Sequence, residues 1–259
     1  MVQNIEGNKH PGDPKVGEEG AKLRSLISTN FGRAFNFGKI YVGIGLVLPL
    51  VFIAELSVAG GAAASAGSSG GPIIGEIFPL LLPVFVVLGT SGALMIFASD
   101  KDKGVYEYML AYGVDVSTIF WSMIAATVCL VTLILTISLA LAVGVLAITS
   151  AGVLSVGFGQ LILFYSIPLS YAAAMFMSMG GMIWSQLTAR RPGINSPIGM
   201  ASLLGIAPVL AVLLLALGPG SGHVLDVVIG ASVAMILAVV AMASVANSKM
   251  QRERFLSNA

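Results

Sequence analysis

Long apolar runs broken by short polar stretches organise this chain. Residues 1–20 are polar, mix both signs of charge with Gly and Pro, and read as a disordered tail. They contain no apolar core, so they do not read as a signal peptide. From residue 21 to residue 38 a helical period sets in. Leu23, Leu26, Ile27, Phe31, Ala34 and Phe35 fall on one face, with Lys22, Ser25, Thr29, Arg33 and Asn36 on the other. This pattern predicts an amphipathic helix lying in the headgroup layer of a membrane.

Six apolar stretches follow, at residues 39–59, 76–98, 118–147, 158–183, 197–217 and 224–246. Each can cross a hydrocarbon core of about 30 Å at about 1.5 Å per residue. The third is the longest and is expected to tilt or to project beyond the lipid. The expected fold is therefore an all-α membrane protein. Six transmembrane helices within residues 39–246 are preceded by an interfacial amphipathic helix and followed by a polar tail at 247–259. Pro49, Pro79, Pro83, Pro168 and Pro208 lie inside these stretches, where they bend a helix or free a backbone carbonyl. Glycines such as Gly43, Gly45, Gly89 and Gly92 suit close helix packing.

Composition supports a membrane setting. Hydrophobic residues make up 57% of the 259 positions and charged residues only 10%, against about 25% charge in an ordinary soluble domain. Cys129 is the single cysteine, so no internal disulfide forms and no Cys/His cluster suggests a metal site. With six spans, all thirteen Lys and Arg residues fall on one side, which the positive-inside rule makes cytoplasmic. Both termini then lie inside, in a multi-pass protein of the cell membrane. Nothing points to nucleic acid.

Three acids, Glu55, Glu76 and Asp226, fall on the opposite side or at its interface. An acid inside a span is a functional candidate by default. Each also sits near a helix end, where a carboxylate reaches headgroup water, and both readings stay open. Met175, Met179 and Met182 share a face of the fourth stretch, which suits adaptable packing before it suits a copper-binding stripe. No phosphate-cradling GxxxxGK[ST], no HExxH, no GxSxG and no paired-carboxylate constellation occurs. The chain is expected to carry no catalytic site, metal site or cofactor of its own, so work against a gradient would draw on a partner or on ions.

The long charged interruption SDKDKGVYEYMLAYGVDVS, residues 99–117, stands apart. Val105, Tyr108, Met109 and Tyr112 follow i, i+3, i+4, i+7 spacing, with Glu107 and Ala111 opposite. A short cytoplasmic helix is expected over residues 102–113, started at Gly104 and stopped by a left-handed Gly113. Tyr106, Tyr108 and Tyr112 suit an interface better than a bare connector. The helix is expected to dock on a partner.

The run DKDKGVYEYMLAYGVDVSTIF resembles the segment after the second span in permeases of the second ABC transporter type. Asp102, Lys103, Gly104, Val105, Glu107, Met109 and Leu110 stand where that family carries an acid/base pair, Gly, a small or β-branched residue, Glu and an apolar pair. Gly113 stands where proline is frequent. SMGGMIWSQLTARRPGINSPIGM is similar to the end of the family's fourth span. The resemblance implies the membrane half of an ABC exporter, pairing with a second permease copy, as a homodimer, and with separate ATPase subunits that hold ATP and Mg. It implies that the helix at 104–112 couples to the ATPase, that Arg190 and Arg191 form a smaller second contact, and that spans one, two and five line the cavity. Thr90, Ser91 and Ser202 relieve otherwise apolar walls, which suit an apolar or amphipathic cargo. Family members commonly place re-entrant helices between spans five and six, for which only residues 218–223 are available here. Two other classes fit the same pattern: a non-transporting subunit of a larger membrane complex, and an ion-coupled transporter using Glu55, Glu76 and Asp226.

Overall fold

A computed structural model of the chain describes residues 14–65, 72–149, 156–187, 209–210 and 224–249. Among them all regular structure is helical. The helices are α1 (Pro14–Phe37), α2 (Lys39–Ser65), α3 (Pro72–Asp102), α4 (Val105–Ala111), α5 (Val116–Thr149), α6 (Val156–Leu161), a π-helical turn at Ile162–Ser166, α7 (Ile167–Leu187) and α8 (Val224–Lys249). Two stretches, Val116–Gly144 and Gly159–Met182, are each long and apolar enough to cross a membrane, and the bent pair α1/α2 makes a third if counted as one span. Shorter apolar helices lie at Phe78–Leu94 and Ile229–Val245. The expected span at 197–217 lies outside the described residues apart from Val209 and Leu210.

The helix α1 begins at Pro14, ahead of the expected start at residue 21, and so takes in part of the stretch read as a disordered tail. Proline is favoured at the first helical position, where its missing N–H is not needed. Near Gly38 the chain bends by 68° into α2. At this bend, and again further along α2, the chain lies close against α3. A Cβ on Gly38 would sit 3.1 Å from the Gly92 Cα, and one on Gly45 would sit 2.9 Å from the Gly89 Cα. Two small-residue pairs thus let the backbones touch. Gly43, on the same helix, meets nothing within 4 Å.

The helix α3 is the spine of the bundle. Leu80, Val87 and Leu94, spaced by seven, enter one core cluster with Phe97, Phe120, Leu169 and Met177. Leu82, Val86 and Ala93 enter a second with Val42, Leu130 and Ile134. The first cluster joins α3 to α4, α7, α8 and part of α5, and the second joins it to α1, α2, another part of α5 and Ala174 of α7. Met179 and Met182 are buried in the first cluster and Met175 packs against it, as adaptable filling does.

The prolines do what their chemistry requires. Pro83 has no N–H, so the carbonyl of Pro79, four residues back, loses its helical donor. The Ser166 hydroxyl supplies one instead, at 2.6 Å. The Tyr165 hydroxyl reaches the Leu80 carbonyl at 3.4 Å. Both donors sit in the π-helical turn just before Pro168, which itself removes a donor from α7. Ser166 is fully buried. Ser166→Ala is expected to lower stability by about 2 kcal/mol, because a buried carbonyl is left unmet. Thermal unfolding in detergent checks this, with Ser170→Ala, whose hydroxyl bonds only within its own helix, as the milder comparison.

Candidate docking site and its mounting

The helix α4 is set off from its neighbours by glycine at both ends. Gly104 has φ 70 and Gly113 φ 77, a left-handed backbone that suits glycine alone among residues without strain. The Gly113 N–H donates to Leu110 O at 3.1 Å and the Val114 N–H to Met109 O at 3.0 Å. That pair of bonds is a Schellman close, as the sequence at Gly113 led one to expect.

The face that packs inward is not the one that the i, i+3, i+4, i+7 spacing marks. Val105, Tyr108, Met109 and Tyr112 were expected to form the apolar face. In the structure Tyr106 and Leu110 are buried, with Val105 and Met109 half-buried beside them. Tyr108 and Tyr112 are 69% and 80% exposed. Their rings stack at 5.9 Å with 29° between planes. Residues 106 and 108 are about 200° apart around a helix at 3.6 residues per turn, so one tyrosine pointing inward forces the other outward. Glu107 and Lys103 are exposed. The side chain of Asp102, the last residue of α3, lies outside the described residues, as do Arg190, Arg191 and Ser202.

Beneath α4 lies a network that sequence periodicity missed. The Tyr106 ring packs on Phe97 of α3 at 5.1 Å. One helical turn on from Phe97, Asp100 is buried, with 1% of its side chain exposed. Arg33 of α1 grips this carboxylate with both terminal nitrogens, Nη1 at 2.7 Å and Nη2 closer still. By period Arg33 falls on the polar face of α1. It turns inward instead, while Phe35, assigned to the apolar face, is 42% exposed. Asn30 Nδ2 donates to Ser122 Oγ of α5 at 3.0 Å, fixing α1 across the same end of the bundle. The helix α1 is thus mounted on α3 and α5 as well as being amphipathic. The visible signal for this network was Asp100 itself, the first charge after the apolar run of α3.

Electrostatics match the geometry. The hydrogen bond to Asp100 raises the Arg33 guanidinium above its ordinary value, with desolvation opposing. Burial pushes the Tyr106 phenol far above its ordinary range; Asp100 adds to this and Arg33 opposes it. Tyr106 therefore stays neutral at any working pH.

The other candidates stand apart from α4. Thr90 and Ser91 are buried, and their hydroxyls bond back to their own helix, Thr90 to Val86 O at 3.0 Å and Ser91 to Leu88 O at 2.7 Å. Glu55 is exposed near the far part of α2, and Asp226 is exposed in the first turn of α8, where the helix dipole favours an acid. Glu76 lies in α3, its side chain outside the described residues. No group of three or more His, Cys, Asp or Glu occurs among the described residues in an arrangement that could hold a metal. Compared with known protein-family models, with curated proteins and with solved structures, the chain matches none.

Proposed function

We propose that this chain is the membrane-spanning permease subunit of an ATP-driven ABC exporter, working with a second permease copy and with separate ATPase subunits. One observation supports this above the others. The helix α4 is rigidly mounted on its inner side by Tyr106 and Leu110, while its outer side presents stacked Tyr108 and Tyr112 beside Glu107 to solvent. Exposed aromatic area on a mounted helix is what an interface uses, since tyrosine supplies large contact area with few rotors to freeze. The sequence resemblance of this same segment to coupling helices of the second ABC transporter type gives the partner its class. Nucleotide binding by that partner shifts the permease only if α4 makes different contacts in the two states. An apolar or amphipathic cargo suits the predominantly aliphatic helices.

Co-purification in mild detergent tests the proposal. An ATPase lacking a membrane domain is expected to elute with the chain. Glu107→Lys is expected to weaken that association at least about tenfold, or about 1.4 kcal/mol, by reversing the charge that α4 presents to its partner. Glu107 is exposed, so the variant folds as before. Undiminished association with Glu107→Lys, or impermeant labelling of Tyr108 from outside the cell, overturns the assignment.

A further inference from the structure

We infer that Arg33 and Asp100 are positioning residues that join α1 and α4 into one moving unit, so that a push on α4 reaches α2 through α1. This rests on the exporter reading above. Left-handed glycines at Gly104 and Gly113 interrupt the helical path on both sides, so α4 is not a continuous rod with α3 or α5. Whatever force α4 receives leaves it sideways, through Tyr106 and Leu110. Tyr106 bears on Phe97, and one turn further Asp100 is held by the Arg33 fork. A bidentate guanidinium–carboxylate pair fixes angle as well as distance, which a packed apolar contact does not.

Arg33 lies about a turn and a half before the bend at Gly38, and Gly38 sits against the backbone of Gly92. The unit made of α4, the end of α3 and α1 thus ends on the α2/α3 glycine contact. Displacement of α1 changes the angle at which α2 leaves that contact. Coupling routes deserve the name only when both ends are shown to respond together. The experiment must therefore read α1 and α4 separately.

Hydrogen exchange on the purified complex with its ATPase does this, comparing the nucleotide-free state with ATP plus vanadate. In the wild type, amides of α1 and α4 are expected to change exchange rate together, by about threefold or more. In Asp100→Asn the ATPase still binds and α4 still responds, but the α1 response falls to under about a third of wild type. A purely structural role for the pair would instead loosen both helices without nucleotide and leave their responses linked. Arg33→Lys, which keeps the charge and loses the fork, serves if Asp100→Asn does not fold; a reduced α1 response supports the inference, and a full one overturns it. A full α1 response in Asp100→Asn overturns it, as do silent α1 and α4 in a wild-type complex that contains the ATPase. Absence of any ATPase from the wild-type preparation overturns the exporter reading and this inference with it.

Discussion

Arg33→Met is expected to destabilise the folded chain by about 3 kcal/mol, because it strands a carboxylate inside the protein. Asp100 has 1% of its side chain exposed. Once the guanidinium is gone, both of its oxygens lose their donors in a place water does not reach. The value is taken from the low end of the range for broken buried pairs, because Arg33 is itself 36% exposed and already partly hydrated. The same exposure makes the reverse change milder. With Asp100→Leu the guanidinium can swing toward solvent, and about half the loss is expected. The double variant Arg33→Met with Asp100→Leu is expected to recover most of the stability, since no charge is left buried. Thermal or denaturant unfolding of the four proteins in one detergent gives the cycle. Additive losses in the double variant would show that the pair contributes no mutual interaction.

Gly92→Leu is expected to do more damage still, by about 3 kcal/mol or more, beyond the usual range for an overpacked core. A Cβ at this position lies 2.6 Å from the Gly38 Cα. The obstacle is main chain, so no rotamer change relieves it, and α2 must leave α3 or the bend at Gly38 must open. Gly43→Leu makes the same chemical change on α2 where nothing lies within 4 Å, and is expected to be nearly neutral. Folded yield and unfolding midpoint of the two variants, measured side by side, check whether close backbone contact or mere loss of glycine is responsible. Equal behaviour of the two would remove the glycine contact from the account.

What could be read from the sequence followed from what each pattern encodes. Apolar run length encodes where a helix can exist, so the stretches expected at 39–59, 76–98, 118–147 and 224–246 each fall inside one observed helix, and 158–183 runs through α6, the π-helical turn and α7. Glycine with a required left-handed backbone encodes a stop, and Gly113 stops α4. Proline encodes a carbonyl without a donor, but it does not name the donor that will come; Ser166 lies 87 residues from Pro79. The side a residue faces is encoded only where the helix has a single environment. Arg33 fitted the polar stripe of α1 by period, yet Asp100, 67 residues away, pulls it inward. In α4 the period marks Tyr108 and Tyr112 but does not reveal that Tyr106 and Leu110 turn inward, because the helix has only seven residues and tyrosine suits either side. Asp102, Arg190 and Arg191, expected at the coupling interface, and Ser202, expected in the cavity, have side chains outside the described residues.

The two left-handed glycines also make α4 a part of fixed length. Adding or removing one residue between Gly104 and Gly113 would turn everything beyond that point by about 100°. Tyr106 or Leu110 would then swing out of the core, and Tyr108 and Tyr112 would no longer stack. Substitutions along the outer face leave this register untouched, so the segment can change its surface chemistry freely while its spacing stays frozen.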